Sequence, residues 1–414
     1  MVPSVLAAPV GRRPMDGGSG FMPQDVFTPS VPAVQNFVDR PDLMRAIDGA
    51  FRTPGKQIVL YGETGVGKTS AAIYALFVKK KRPYVRVQCQ PAYSTTDLVK
   101  SILEEMERVL RVRTCDSGIG YIPEETVRQV PPGFIGDPTP KALVEACGRL
   151  RVTVIIDDYE KARDRIVKRE LANLAKEFSD RAAELPGRLL IVGIHESPGL
   201  MIRLDESLNR RLAQIPVSLL SDAEIRSIFV EGFRSLGIAC APRIVEELIS
   251  LSGGYGGYAH DLGLRLAWEA MERGDRKISD IDISTVVERL LSDNEGSFGD
   301  LYDHRVLQDP TTTMQLRQTT CEAIALTGKR SVDVGEIVEA ARRIAIRWWG
   351  NADSIKVGSV RTELTKLLEP RETYTEILLR EGPKGAYRYR YRNMMFRTFV
   401  RWKYDKRARG IPLR

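Results

Sequence analysis

The amino-acid sequence predicts an α/β protein that contains a parallel β-sheet, and three observations support this fold class. Four apolar runs predict strands buried on both faces: QIVLYG, YVRVQC, RVTVIIDDYE and RLLIVGIHES. Segments of helical spacing alternate with these runs, as in parallel sheets. The third observation is length, because 414 residues exceed one compact core and favour two or three domains.

The order of the segments sets the expected domain boundaries. Residues 1–24 are rich in Gly and Pro and lack periodicity, which predicts a disordered tail. Leu43, Ile47 and Phe51 recur at helical spacing before the first strand, and Ser221 and Asp222 are N-cap candidates for a later helix. We expect a sheet domain over 25–220 with a Pro- and Gly-rich insertion from about Thr114 to Pro140, helices over 221–293, a linker over 294–312 and a C-terminal domain over 313–414.

Charge and cysteine content narrow the class of protein. The net charge is +8, and Arg380–Arg414 carries twelve Lys or Arg against two acids, Glu381 and Asp405. No apolar run approaches the roughly 18 residues of a membrane span. The five cysteines show no metal-binding spacing, which favours reduced thiols in a cytoplasmic protein. We therefore expect an anionic partner for the C-terminal segment and no membrane partner.

A glycine-rich turn after the first strand matches G-x-x-x-x-G-K-[ST] at every position. Its glycines let successive backbone N–H groups face phosphate oxygens. Lys68 would neutralise the β- and γ-phosphates, the Thr69 hydroxyl would bind Mg²⁺, and the following helix directs its positive end at the same oxygens. The turn therefore predicts a site for ATP and Mg²⁺ formed by Gly62, Glu63, Thr64, Gly65, Val66, Gly67, Lys68, Thr69 and Ser70.

Two acids at the end of VTVIIDDYE complete this prediction. A phosphate-binding loop needs an acid to hold Mg²⁺ and, for hydrolysis, a group that orients water. We expect Asp157 to serve the metal and Asp158 to polarise the attacking water. The alternative is that both are solvated acids at a strand end.

These motifs together resemble the AAA+ ATPases, and most of all their initiator (ORC/Cdc6-like) and transposition-regulator branch. NFVDRPDLMRAI resembles the family motif F-V-G-R-x-x-E-L, which lines the adenine pocket and includes Arg40 here. The resemblance places the sensor 1 residue in RLLIVGIHES, at His195 or Glu196. It makes Arg210 and Arg211 of SLNRRLAQIPV candidates for an arginine finger that reaches a neighbouring subunit, and so implies a homo-oligomer.

Two positions depart from the family pattern. Asp158 stands where the family usually has Glu, which implies slow hydrolysis or a nucleotide-held switch. Gly257 falls where the lid motif G-x-P-R places its arginine, and His260 and Arg265 lie within reach along the same helix. The alternative interpretation of His260 is an ordinary surface or capping histidine.

The C-terminal hundred residues have the order of a winged-helix domain, which this branch commonly carries. Three helical segments precede a hairpin signal around EGPKG. In the third helix Val360, Leu364 and Leu367 form a buried stripe, which leaves Arg361, Thr362, Thr365 and Lys366 outward for the DNA major groove. In the hairpin, AYRYRYR places three tyrosines on one face and a phosphate-contacting set on the other: Arg388, Arg390 and Arg392. Solvated arginines are the alternative.

The leading interpretation is a P-loop NTPase with a parallel sheet, a helical lid subdomain and a winged-helix domain that binds duplex DNA. The second is a signalling ATPase of the STAND kind, whose winged helix is autoinhibitory and whose partner is a protein. A small-molecule P-loop kinase lacks support, because no acceptor motif is visible. DNA binding by the C-terminal residues separates the first two interpretations.

Overall fold

The computed structural model describes residues 21–91, 93–112, 120–123, 139–162, 165–194, 206–307, 315–371 and 374–408. Most of the predicted tail and of the insertion from Thr114 to Pro140 therefore lies outside the described residues. The chain divides into two compact units. The first holds residues up to Ile238 together with Gly254–Trp268, and the second holds Ala239–Gly253 and Glu269–Arg414. The predicted lid over 221–293 is thus divided between them.

A six-stranded sheet forms the centre of the first unit. Its strands are β1 (Gln57–Tyr61), β2 (Tyr84–Gln88), β3 (Gly120–Tyr121), β4 (Thr153–Asp157), β5 (Arg188–Ile194) and β6 (Leu212–Pro216). Their spatial order is β3-β2-β4-β5-β1-β6, and only β3 is antiparallel to its neighbour. The predicted parallel sheet is confirmed. Every residue of β4 is buried, and its three central residues are apolar, as in a strand that is covered on both faces.

Helices follow the strands of the first unit. They are α1 (Pro23–Val26), α2 (Pro41–Arg52), α3 (Lys68–Ile73), α4 (Thr95–Val112), α5 (Pro140–Leu150), α6 (Arg165–Asp180) and α7 (Asp222–Ser235), with a π-helical turn over Tyr74–Lys79 and 3₁₀ turns over Tyr159–Lys161 and Glu206–Arg210. Leu43, Ile47 and Phe51 are buried on α2, as their spacing predicts. Ser221 caps α7 in a reciprocal capping box with Glu224.

The second unit is mainly helical. Its elements begin with β7 (Ala239–Cys240) and α8 (Pro242–Ser252), while α9 (Gly256–Arg273) starts in the first unit and ends in the second. β8 (Lys277–Ile278), α10 (Asp280–Asp293) and α11 (Glu295–Arg305) follow. The expectation of a loose linker over 294–312 is wrong for its described part, because Phe298 and Tyr302 are buried on α11.

The last hundred residues contain the predicted order of three helices and a hairpin. The elements are α12 (Leu316–Leu326), β9 (Val332–Asp333), α13 (Val334–Trp349), α14 (Val357–Leu368), β10 (Leu378–Glu381), β11 (Arg388–Tyr391) and α15 (Met394–Ala408). The three strands form an antiparallel sheet with β11 in the middle. Val360, Leu364 and Leu367 are buried on α14, as predicted.

Within the described residues, no helix combines the length and apolar character that a membrane crossing requires. Cys89, Cys147, Cys240 and Cys321 carry free thiols. Cys115 lies outside the described residues.

Candidate nucleotide site

The glycine-rich turn connects the carboxyl end of β1 to the first residue of α3. Gly62, Gly65 and Gly67 have positive φ angles of 153°, 82° and 88°. At Gly62 a side chain would also collide with the carbonyl oxygen of Val217, so glycine is required there. The Lys68 Nζ donates to the carbonyl oxygens of Gly62 (2.9 Å) and Glu63 (2.7 Å) and thereby lies across the turn. Burial lowers the pKa of Lys68, and the charge of Glu160 opposes this shift.

Thr69 and Asp157 meet at the carboxyl edge of the sheet, because β1 and β4 are parallel and only β5 separates them. The Thr69 hydroxyl lies 3.0 Å from both carboxylate oxygens of Asp157. Asp157 is 3% exposed and accepts the backbone N–H of Asp158 at 3.0 Å. The Nε and Nη2 of Arg86 also lie 2.9 Å from its Oδ2. The two residues predicted to hold a metal are therefore in direct contact.

Arg86 is a site residue that the sequence interpretation missed. It lies on β2, whose parallel register with β4 places Gln88 opposite Asp157. The only sequence signal was a charged residue inside the apolar run YVRVQC. Its role is visible only once the two strands are paired.

The residues after Asp157 turn sharply. Asp158 adopts a left-handed conformation (φ 56°), and its carboxylate accepts Lys161 Nζ at 2.7 Å. Glu160 follows in the 3₁₀ turn, and a Cβ added to Gly193 of β5 would overlap its Oε2. Burial raises the pKa of Glu160. Glu160 was also missed from the sequence, because the predicted water-orienting acid was Asp158.

A cavity of about 370 Å³ collects these groups. Part of its lining is charged or polar and comes from the glycine-rich turn and the strand ends, including Lys68, Asp157 and Glu160. Another part is mostly apolar and comes from residues 29–38 with Leu220 and Ile228. The Ser70 hydroxyl accepts the N–H of Ala33 at 2.9 Å and so ties this apolar segment to α3.

Arg40 lines the cavity, but its guanidinium is bound to protein groups. Nη2 donates to the carbonyl and hydroxyl oxygens of Ser218, both at 3.0 Å, and Nε lies 3.3 Å from Glu224. These contacts fix the start of α2 to the segment that enters α7.

The first turn of α9 contacts the glycine-rich turn. Gly257 N–H donates to the Gly65 carbonyl at 3.0 Å, and the Tyr255 hydroxyl donates to Glu63 at 2.5 Å. Gly257, at the position where the family has its lid arginine, therefore contributes a backbone contact.

Neither predicted substitute for that arginine supplies a cation to the cavity. His260 is buried and accepts the Thr28 N–H on Nδ1 at 3.0 Å. Burial lowers its pKa to about 4, so the ring is neutral near pH 7. The burial of His260 contradicts the alternative of a surface histidine. Arg265 pairs with Asp261 at 3.2 Å.

The predicted arginine-finger pair differs in environment. Arg210 is exposed at the end of its 3₁₀ turn. Arg211 binds Asp180 through Nη2 at 2.7 Å and Nε at 3.2 Å. His195 and Glu196, the candidates for sensor 1, lie outside the described residues.

The predicted DNA contacts in the second unit are only partly exposed. Arg361 is exposed on α14, and Lys366 pairs with Glu363 at 2.7 Å. The expectation of an outward arginine face on the hairpin is wrong for Arg390, which is 4% exposed and pairs with Glu381 at 2.5 Å. Arg388 binds Ser331 and Glu336, and Arg392 binds Glu376. The reason is that both faces of β11 are covered, since the successive residues Tyr389, Arg390 and Tyr391 are all buried.

The chain is similar to known proteins in structure. No protein-family model matches the chain, and no curated protein matches it significantly. The Walker-type ATPase of Pyrococcus abyssi matches with a TM-score of 0.51 and 14% identity, over 88% of this chain and 96% of that chain. Cdc6p from Pyrobaculum aerophilum matches with a TM-score of 0.46 and 16% identity, over 93% of this chain and 98% of that chain.

The Orc1 protein of Aeropyrum pernix, solved in complex with DNA, matches with a TM-score of 0.44 and 15% identity over 94% and 98% of the two chains. At these identities the likeness to the Walker-type ATPase bears on the fold alone. Together with the parallel sheet and the glycine-rich turn, it confirms the predicted fold class, a P-loop fold built on a parallel sheet.

Proposed function

We propose that the first unit binds ATP with Mg²⁺ and hydrolyses it to ADP and phosphate. The observation that carries this proposal is the contact of Thr69 with Asp157. This contact lies beside the glycine-rich turn, which Lys68 crosses. Backbone N–H groups of the turn and the start of α3 bind anionic oxygens, and Lys68 neutralises them. The apolar part of the cavity lining accepts the base.

The residues present fit Mg²⁺. Thr69 and Asp157 offer hydroxyl and carboxylate oxygens, the ligand types that this hard cation takes. Bound Mg²⁺ supplies neutralisation of the charge that develops on the phosphate oxygens. Arg86 competes with Mg²⁺ for Asp157, because the Nε and Nη2 of Arg86 both contact the Oδ2 of this carboxylate.

The test is ATP binding and phosphate release by the full chain and by Lys68→Ala. We expect the variant to lose at least ~100-fold in hydrolysis, because it lacks the cation that lies across the turn and would neutralise the phosphates. The matched control is Lys100→Ala, whose lysine pairs with Glu104 on an exposed face of α4. Equal activity of wild type and Lys68→Ala would contradict the proposal.

We further propose that the second unit is a winged-helix domain that binds duplex DNA through α14. Arg361, Thr362 and Thr365 are exposed on one face of this helix, while its apolar stripe is buried. The excess of ten positive charges in Arg380–Arg414 adds a sequence-independent attraction to phosphates.

Fluorescence anisotropy with a labelled duplex tests this proposal. Arg361→Ala combined with Lys366→Ala should weaken binding at least ~10-fold and reduce the salt slope by about 2, because two phosphate contacts are lost. Arg243→Ala, an exposed arginine on α8, is the control. Unchanged affinity in the double variant would contradict DNA binding by α14, and absence of any DNA binding would favour a protein partner.

We also propose a homo-oligomer in which Arg210 reaches the nucleotide of a neighbouring subunit. We choose Arg210 over Arg211 for this role because Arg210 is exposed, whereas Arg211 is bound to Asp180. In the wild type, we expect the rate of ATP hydrolysis per chain to rise with protein concentration. In Arg210→Ala, this rate should no longer depend on concentration.

A further inference from the structure

The fold brings the side chain of Glu160 to the end of β5. This strand lies between β4, which carries Asp157, and β1, which leads into the glycine-rich turn. Gly193 of β5 has a φ of 114°, and a Cβ at this position would overlap Glu160 Oε2. Glu160 and Gly193 both line the cavity that holds Lys68 and Asp157. The absence of a side chain at Gly193 therefore leaves the space through which Glu160 reaches this cavity.

The other two acids that follow β4 have their carboxylates engaged. Asp157 binds Thr69 and Arg86, and Asp158 binds Lys161 at 2.7 Å. Within the part of the chain that the structure describes, no lysine or arginine nitrogen forms an ion pair with Glu160. The Glu160 carboxylate accepts the N–H of its own residue, and Asp158 and Glu160 both line the cavity that holds Lys68. Of these two acids, Glu160 is the one without an ion pair among the described residues, which leaves it available to a small polar ligand.

We propose that Glu160, rather than Asp158, is the catalytic carboxylate that orients the attacking water. This assignment rests on the proposed ATP hydrolysis. In that step the water oxygen bonds to the γ-phosphorus, and the bond from this phosphorus to the β–γ bridging oxygen breaks. The bridging oxygen leaves on ADP with the electron pair, and the proton that the water loses passes to the Glu160 carboxylate and then to solvent.

The assignment also accounts for the departure from the family motif at position 158. Asp158 stands where the family usually has Glu, but the left-handed turn at Asp158 directs the chain so that a glutamate two residues later reaches the cavity. The Glu160 side chain thus takes the place of the glutamate that the family usually has at position 158. Slow hydrolysis is then not required by the sequence change.

Two matched variants test the assignment, Glu160→Gln and Asp158→Asn, each of which removes one charge and keeps the side-chain size. Binding of a fluorescent ATP analogue and steady-state phosphate release are measured for the full chain. We expect Glu160→Gln to bind the analogue within about threefold of wild type, with KM unchanged and kcat reduced at least ~100-fold. Asp158→Asn should lose less than ~10-fold in kcat.

A third variant checks the route of the side chain. Gly193→Ala places a methyl group against Glu160 and should lower kcat, whereas combining it with Glu160→Gln should cause no further loss. Thermal unfolding of each variant establishes that it is folded, and Glu160→Gln alone decides the assignment if Gly193→Ala does not fold.

The outcomes separate the two proposals. A loss in Asp158→Asn as large as that in Glu160→Gln, or larger, overturns the assignment. A wild-type protein that binds ATP without hydrolysing it overturns the assignment and leaves ATP binding intact. A wild-type protein that does not bind ATP overturns the proposed function itself.

Discussion

Two buried carboxylates, one in each unit, have similar partners and different surroundings. Asp157 is 3% exposed and binds Arg86, a hydroxyl and a backbone N–H. Glu322 on α12 is 0% exposed and binds Arg407 at 2.7 Å and Gln318 at 2.9 Å. Each acid thus has an arginine and further donors within hydrogen-bond distance.

The difference lies in what else the carboxylate faces. Asp157 ends a strand and lines a cavity of about 370 Å³ beside the glycine-rich turn. Glu322 lies within a helix, is enclosed by protein groups that include the Tyr302 hydroxyl at 3.5 Å, and has its pKa raised to about 7 by burial. A buried acid paired with arginine is therefore insufficient to identify a site. The cavity beside the glycine-rich turn distinguishes Asp157.

The largest effect expected from this comparison is in Asp157→Asn. The amide still accepts hydrogen bonds from Thr69 and from the backbone, so the fold should persist, but the negative charge for Mg²⁺ is lost. We expect hydrolysis to fall ~1000-fold, measured as phosphate release at saturating ATP. A variant with near wild-type hydrolysis would remove the distinction between the two acids.

Glu322→Gln should change stability and its pH dependence without changing ATP hydrolysis. Because the pKa of Glu322 is raised to about 7, the folded protein keeps a proton that the unfolded chain releases above about pH 4.3. The contribution of Glu322 to stability is therefore most favourable below pH 4.3 and declines by about 4 kcal/mol as pH rises through 7.

Urea unfolding of wild type and Glu322→Gln at pH 5 and pH 8 checks this prediction. Trp348, Trp349 and Trp402 belong to the second unit and report its unfolding by fluorescence. The glutamine variant should lose most of the decline between the two pH values. A decline of the same size in both proteins would show that other groups cause it.

Arg86→Ala removes the arginine partner of Asp157 and so tests whether this ion pair limits Mg²⁺ binding. With one competitor for the carboxylate gone, we expect Mg²⁺ to bind more tightly to the protein–ADP complex, by about tenfold. Mg²⁺ titration by calorimetry measures the change, and Arg82→Ala on the preceding loop is the control. An unchanged or weaker Mg²⁺ affinity would show that Arg86 mainly positions Asp157.

Arg390→Met tests the smallest expected effect. Arg390 is buried, but Glu381 is 45% exposed and stays hydrated when its partner is removed. We expect a loss of about 1 kcal/mol in the free energy of unfolding and unchanged DNA affinity. Weaker DNA binding in this variant, with the fold intact, would restore Arg390 as a DNA contact.

The parts predicted well from the sequence depend on neighbouring residues in the chain. The strand, the glycine-rich turn and α3 are continuous in sequence, and the glycines permit the positive φ angles that the turn needs. The position of Asp157 at a strand end was predicted because a mostly apolar run ends in an acid, and Ser221 was predicted as an N-cap because capping is local.

The parts that were missed depend on residues far apart in sequence. Arg86 meets Asp157 only through the register of β2 and β4, and Glu160 reaches the cavity only because Gly193 on another strand has no side chain. The exposed role expected for Arg390 failed because β11 has a neighbour on each edge and is covered on both faces.

The long strands, most of the helices and the glycine-rich turn could thus be predicted from the order of residues alone, because short-range sterics and hydrophobic periodicity act within each segment. The tertiary structure decided which charged groups face the cavity and which are neutralised by a partner. It did so because burial and pairing depend on contacts between segments that the order of residues along the chain does not specify.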